Sequence, residues 1–150
     1  MITVKPTKQK AGFTLVELMV VAVIVSILAA VAIPIMSGNK TKALATEAEQ
    51  GLGHVRTALR ATFVQSGAYN LNLDGDPITT GPVVGAVPGI STGDLDGRYF
   101  SDASYELTLL GANTYTITAT GDDSAAPQAA EAVGVVITLD ETGTFTRSGL

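Results

Sequence analysis

Few residues in this chain are suited to chemistry. His54 is the only histidine and there is no cysteine, so the chain cannot supply a histidine pair or a thiolate for a catalytic or metal site. No serine–histidine–acid set, P-loop or dinucleotide-binding glycine pattern is present. We therefore expect no enzyme activity and no cofactor, and we interpret His54 as a solvated or capping side chain.

Two aspartate pairs have the alternate spacing found in calcium-binding loops. Asp74 and Asp76 end the segment NLNLDGD, in which oxygen-bearing side chains alternate before a turn glycine. Gly81 occupies the place of the glutamate that should close such a loop, and the nearest further oxygens belong to Asp94 and Asp96. These four aspartates are the calcium candidates, but we favour a solvated turn and expect no metal.

Charge is distributed unevenly along the sequence. Three lysines and no acid precede Gly12, whereas the rest of the chain holds six basic residues against fourteen acidic ones. The basic residues of this acidic body are scattered and form no stripe that would neutralise phosphates. We therefore predict that the chain does not bind nucleic acid.

An apolar segment dominates the N-terminal third. Residues 18–33 read LMVVAVIVSILAAVAI, and residues 13–36 as a helix would be about 35 Å long against a hydrocarbon core of about 30 Å. Lysines before this segment indicate that the leader is cytoplasmic and that the acidic body is exported. The sequence predicts a single-pass precursor surrounded by membrane lipid.

Glu17 lies inside this apolar segment, where a carboxylate is costly. One explanation is its position near the end of the span, from which the side chain reaches the headgroup layer. A second explanation comes from its neighbours. The segment KAGFTLVELMVVAVIVSILAAVAIP resembles the N-terminal signature of type IV prepilins and the related pseudopilins.

The resemblance implies a processing site and an assembly site. In that family a prepilin peptidase, which is also the methyltransferase, cuts after a leader glycine that corresponds to Gly12, and the new terminal residue, here Phe13, is N-methylated. The family's glutamate, five places into the mature chain, matches Glu17. Its helix-interrupting proline matches Pro34, where a kink or local loss of helix is expected.

The implied function is polymerisation. A buried carboxylate at Glu17 paired with the terminal ammonium of a neighbouring copy would penalise misregistered subunits and so set their stagger. The resemblance implies a helical homo-oligomer built by inner-membrane assembly machinery. The chain is expected first in the inner membrane and then in an extracellular pilus, or fimbrium, and the sequence does not assign it to adhesion or motility, DNA uptake or electron transfer.

Two alternatives remain open at this point. A pseudopilin of a type II secretion system would have the same N-terminus and form a short periplasmic fibre. A signal-anchored or secreted binding protein would instead use the apolar segment as an ordinary signal, and Ala30-Val31-Ala32 resembles a secretory cleavage site before Ile33. The GFTLVEL sequence has no purpose in such a signal.

Helical periodicity continues beyond the apolar segment and predicts an amphipathic helix over residues 37–66 that ends at Ser66-Gly67. Its apolar positions are Ala45, Ala48, Leu52, Val55, Leu59 and Phe63. The polar positions expected to face solvent are Lys42, Glu47, Glu49, Arg56, Arg60 and Gln65.

The C-terminal half has the pattern of an antiparallel sheet. Residues 68–98 are rich in glycine and proline and predict a long connecting loop. Alternating apolar and polar residues then predict about four strands, over residues 104–109, 114–119, 133–139 and 144–147. The predicted fold class is α+β, a long N-terminal helix packed on an antiparallel sheet, and the resemblance implies the pilin fold.

These patterns divide the chain into four predicted parts. They are a cleaved basic leader (1–12), a hydrophobic transmembrane and assembly helix (13–36), its amphipathic continuation (37–66), and a globular domain of loop and sheet (67–150).

Overall fold

The fold is taken from a computed structural model that describes residues 12–122 and 125–150. The predicted leader lies outside the described residues except for Gly12. One helix, α1, runs from Leu15 to Ser66. The chain forms two compact units, one ending at Asn39 and the other running from Lys40 to Leu150. The predicted division of the chain into four parts stays a prediction.

In the N-terminal unit, the surface of α1 is apolar and exposed. An 18-residue window in this helix has a mean hydropathy of 3.0 and no buried residue, so the helix is long and apolar enough to cross a membrane. The large apolar side chains of this unit are more than half exposed, from Phe13 just before the helix at 80% to Met36 at 77%. This surface has no protein partner within the described chain, in keeping with a segment designed for lipid or for other helices.

Pro34 does not interrupt α1 in the described chain. A proline inside a helix removes one backbone donor, but the helix assignment continues on both sides, and the Ser37 hydroxyl donates to the Pro34 carbonyl at 3.0 Å. The predicted loss of helix is therefore not seen in a single copy, because one missing bond leaves the flanking ladder in place. Unwinding inside a filament remains a prediction.

The sheet contains five strands in the order in which they occur along the chain, all antiparallel. They are β1 (Gly81–Pro82), β2 (Tyr105–Leu110), β3 (Tyr115–Thr120), β4 (Val136–Asp140) and β5 (Phe145–Ser148). Short 3-10 helices precede β2 (Asp102–Ser104) and β4 (Ala129–Glu131). The α+β class and the four longer strands are confirmed. The two-residue β1, inside the predicted loop, was not anticipated.

The second half of α1 and the sheet share one hydrophobic core. Helix positions Ala48, Leu52, Val55 and Leu59 are fully buried, as their spacing predicts. The helix ends as predicted at Ser66, where Gly67 has φ +79° and its amide donates to the Phe63 carbonyl at 2.8 Å. The buried sheet residues are Tyr105, Leu107, Tyr115, Ile117, Ala119, Ile137 and Leu139.

The segment between α1 and β2 contributes as much to this core as a regular element does. Its glycines and prolines predict a connecting loop, yet it buries eight large side chains in the same cluster as the helix and sheet. They are Tyr69, Ile78, Val83, Val87, Ile90, Leu95, Tyr99 and Phe100. A globular unit of this size has too little helix–sheet interface to form a core alone, so the loop supplies the remainder.

Three helix side chains expected in solvent instead bind the rest of the globular unit. Glu47 accepts backbone hydrogen bonds from Tyr99 at 2.6 Å and Phe100 at 2.8 Å. Glu49 pairs with Arg147 of β5. The guanidinium of Arg56 lies against Gly143 in the β4–β5 turn. Sequence periodicity separates apolar from polar faces, but it does not show which polar side chains lie at the edge of the interface.

Candidate assembly site

The site that the sequence singles out lies at the first turn of α1. Gly12, Phe13 and Thr14 precede the helix and have no regular secondary structure. Phe13 is 80% exposed, and nothing lies within 4 Å of the position that a Cβ on Gly12 would take. The Gly12–Phe13 peptide bond is therefore in an open, non-helical stretch of the kind that a protease can bind.

Thr14 and Glu17 form a reciprocal capping box. The Glu17 amide donates to Thr14 Oγ1 at 3.2 Å, and Glu17 Oε2 accepts both the Thr14 amide and the Thr14 hydroxyl at 2.8 Å. These contacts satisfy backbone donors that the first helical turn leaves free, and the carboxylate is favourably placed at the positive end of the helix dipole. The TLVE segment has the threonine-to-glutamate spacing of a capping box. This pattern was present in the sequence, but the prediction did not use it.

The capping box also fixes the orientation of the carboxylate. All hydrogen bonds to the Glu17 side chain go to Oε2, and no described residue bonds to Oε1. Val16, Leu18 and the other nearby apolar side chains are exposed and provide no polar group. Glu17 thus presents one free anionic oxygen on an apolar helix surface, an arrangement that can accept a cation.

The four calcium candidates are not brought together as a metal site. No group of three or more His, Asp or Glu side chains with suitable geometry occurs within residues 12–122 and 125–150. In the loop of Asp74 and Asp76, Asn72 Oδ1 accepts both aspartate amides, which closes a turn without an ion. Asp94 and Asp96 accept backbone amides of their own loop. His54 is exposed on α1.

The segment that contains Glu17 matches a known family motif. The prokaryotic N-terminal methylation motif matches residues 7–33. The competence protein ComGC of Halalkalibacterium halodurans is 39% identical over 70 residues, which cover 47% of this chain and 69% of that protein. The chain belongs to the N-methylated, type IV pilin-like family.

Two further proteins are similar to this pilin-like chain. The fimbrial protein EcpB of Eikenella corrodens is 42% identical over 60 residues, and the match spans 40% of this chain but only 37% of EcpB. The solved structure of the non-core minor pilin PilV of Neisseria meningitidis aligns with 67% of this chain and 79% of its own, with a TM-score of 0.41 and 18% identity. Proteins of this family are structural.

Proposed function

We propose that this pilin-like chain is the structural subunit of a type IV pilus-like filament and has no enzymatic activity. The observation that carries the proposal is the exposed apolar surface of α1, which bears a single oriented carboxylate at Glu17. A helix of this kind is suited both to lipid before assembly and to copies of itself afterwards. Family membership supports the same function.

Processing is the first step of the proposed function. Prepilin peptidase cuts between Gly12 and Phe13, and the new amine of Phe13 is methylated. The open, non-helical conformation of residues 12–14 supports this assignment, because the bond to be cut does not have to be unwound from a helix first. The membrane-anchored precursor then passes from the inner membrane to the filament with the help of an assembly machinery.

Assembly uses the free oxygen of Glu17. In the proposed contact the methylated ammonium of Phe13 from one copy binds Oε1 of Glu17 in the next copy, while Thr14 keeps Oε2. Both charged groups lose their hydration on assembly. Each charge is compensated by the other only when the subunits have the correct stagger. The chain thus encodes its own axial register. Local unwinding at Pro34 would accommodate the packed helices.

Mass analysis of the N-terminal peptide of the mature protein tests the proposal. The expected result is a peptide that begins at a methylated Phe13, whereas ordinary signal cleavage gives a peptide that begins at Ile33. A mature protein that retains its first twelve residues would contradict the proposed processing. Electron microscopy of the same cells then distinguishes an extracellular pilus from the short periplasmic fibre of a pseudopilin, which is the alternative for this family.

A further inference from the structure

Two arginines of α1 and a tyrosine of β3 lie together beside the β4–β5 turn. Arg56 and Arg60 are four positions apart on the helix and therefore share a face. The guanidinium of Arg56 lies against Gly143 of the turn. Burial raises the pKa of Tyr115, and Arg56, more than Arg60, offsets part of that rise, which places both guanidinium groups near the hydroxyl. We refer to Arg56, Arg60 and Tyr115 as the donor cluster.

The register of the sheet places Tyr115 at the same turn. Tyr115 is the first residue of β3, and the residue after it, Thr116, pairs with Asp140, where β4 ends. The side chain of Tyr115 is fully buried, and its ring packs edge-on against Tyr69 at a centroid distance of 4.8 Å. The core therefore holds this phenol in one position, next to the turn that Arg56 contacts.

The buried polar atoms of the donor cluster lack partners. The Tyr115 hydroxyl and Arg56 Nε are both buried, and neither forms a hydrogen bond with any described residue. Buried polar groups in folded proteins are almost always paired, because an unpaired one has lost its hydration without compensation. Two such atoms in one cluster indicate a binding site for a further polar group.

The arginines cannot supply what the phenol hydroxyl needs. A guanidinium has N–H donors and no acceptor, so Arg56 can donate to the phenol oxygen but cannot accept the phenol proton. No described acid lies within ion-pair distance of Arg56 or Arg60. Asp140, the acid at the start of the neighbouring turn, uses Oδ1 to accept three donors of that turn. The donor cluster therefore needs an acceptor, and its positive charge favours an anionic one.

A small ligand can reach the donor cluster from solvent. Arg60 is exposed and Arg56 is partly exposed, so the two guanidinium groups connect the surface with the buried hydroxyl. A Cβ on Gly143 would collide with the Arg56 guanidinium, which means that the turn leaves space for this group because residue 143 is a glycine. A change of the Arg56 rotamer, which is fast for side chains at the surface, gives an incoming oxygen access to the hydroxyl.

We propose that Arg56, Arg60 and Tyr115 bind a small oxyanion, either a phosphate or a carboxylate. Planar guanidinium groups bind such anions through paired N–H donors, and the phenol hydroxyl supplies a further donor. The site goes beyond the proposed filament function, because it lies in the globular unit and does not use the contact between N-terminal helices. It can therefore be tested on single chains.

Thermal unfolding of the full chain in detergent tests the site, because a ligand that binds only the folded state raises the unfolding midpoint. The probes are sodium phosphate and sodium acetate in Tris buffer, each compared with sodium chloride at the same ionic strength. At least one of the two oxyanions should raise the midpoint of the natural chain by a few degrees more than chloride does. A larger rise with phosphate identifies a phosphate site, and a larger rise with acetate identifies a carboxylate site.

Variants locate the effect within the chain. Arg60→Gln removes an exposed cation and Tyr115→Phe removes only the hydroxyl, and each should lose most of the oxyanion-specific rise. Lys42→Gln is the matched control and should keep the full rise, because Lys42 is also an exposed cation of α1 but lies about 21 Å along the helix from Arg56. In chloride alone, Tyr115→Phe should unfold at a higher temperature than the natural chain, since it removes an unpaired buried hydroxyl.

Three results would overturn the oxyanion site. The first is a natural chain whose midpoint responds to phosphate and acetate no more than to chloride. The second is an oxyanion-specific rise that survives in both Arg60→Gln and Tyr115→Phe, because binding would then occur elsewhere. The third is a Tyr115→Phe variant that is less stable than the natural chain in chloride and equally responsive to oxyanions, which would assign the hydroxyl to a bound water. None of these results bears on filament formation, which electron microscopy tests separately.

Discussion

The phenol ring of Tyr105 occupies the space that a side chain at residue 51 would need. A Cβ on Gly51 would collide with the hydroxyl end of the ring, and Tyr105, the first residue of β2, is itself fully buried. A glycine inside a helix usually weakens it, by about 0.5–1 kcal/mol relative to alanine. Here the glycine allows an aromatic side chain to lie directly on the helix backbone.

Gly51→Ala should therefore destabilise the protein. We expect a loss of about 1–3 kcal/mol in the free energy of unfolding, as for other overpacked cores, measured by denaturant unfolding of the full chain in detergent. Gly53→Ala is the matched control two positions along, where nothing lies within 4 Å of the added Cβ. That control should gain about 0.5–1 kcal/mol from helix propensity. Equal effects at the two positions would refute the steric role of Tyr105.

Glu47→Ala should loosen the loop before β2. The variant leaves the buried amides of Tyr99 and Phe100 without an acceptor, at a cost of about 1–3 kcal/mol for each group that water does not reach. Hydrogen exchange should show faster exchange of these two amides. Glu49→Ala removes a neighbouring acid whose partner is Arg147 on the surface, and the two amides should be unaffected in that variant.

Alkaline pH should destabilise the fold through Tyr105. Its pKa is raised above the ordinary value of 10, first by burial and then by the charges of Glu47 and Asp102. The neutral form is the one that the fold stabilises, so this contribution is complete below pH 10 and is lost as the pH rises further. Tyr105→Phe keeps the ring and removes the titrating group, and its unfolding midpoint should fall less between pH 10 and 12. An identical fall in both proteins would contradict this role.

Acid pH should weaken the β4–β5 turn through Asp140. Its pKa is lowered first by the hydrogen bond from the Thr142 hydroxyl and then by backbone amides of the turn. The charged form is stabilised, so the contribution is present above the ordinary pKa of 3.8 and is lost as the pH falls through the lower folded-state value. The stability difference between the natural chain and Asp140→Asn should shrink over this range.

Asp74→Asn is the control for the acid experiment. Its carboxylate accepts no hydrogen bond from any described residue, so the variant should follow the pH profile of the natural chain. A stability difference between the natural chain and Asp140→Asn that stays constant as the pH falls would contradict a role for the charge of Asp140.

Substitutions at Glu17 separate helix capping from subunit pairing. Glu17→Gln retains an oxygen that can accept from Thr14, since glutamine also forms capping boxes, but it has no charge for a neighbour's ammonium. We expect Glu17→Gln and Glu17→Ala to abolish filaments equally, as seen by electron microscopy. Thr14→Ser, which keeps the capping hydroxyl, should assemble normally. Normal filaments from Glu17→Gln would show that capping alone explains this residue.

Sequence patterns predicted the regular elements well. Alternation of apolar and polar residues located β2 to β5 to within three residues at each end, and burial along β4 alternates as that pattern requires. Helical spacing identified Leu52, Val55 and Leu59 as core residues. Glycine at position 67 marked the helix end. Each of these patterns involves only residues that are close in the sequence, so it can be recognised without knowledge of the fold.

The features that escaped prediction depend on contacts between distant parts of the chain. Glu47 meets the amides of Tyr99 and Phe100 across more than fifty positions, and no spacing rule reports such a contact. The glycine and proline content of the loop concealed its buried residues, such as Val83 and Ile90. The Thr14–Glu17 capping box is an exception, because it escaped prediction although its residues are close in the sequence. The Glu17 carboxylate was interpreted only as an assembly site.

The buried residues of the long loop between α1 and β2 also affect how the exposed surface of that loop can change during evolution. The loop packs into the core at intervals of a few positions, through Val83, Val87, Ile90 and Leu95. The stretches between these four residues include exposed residues. Substitutions in those stretches leave the anchors in place, and an extra residue can bulge outward between two fixed points. Evolution can therefore change the exposed surface of this loop while the fold of the globular unit stays the same.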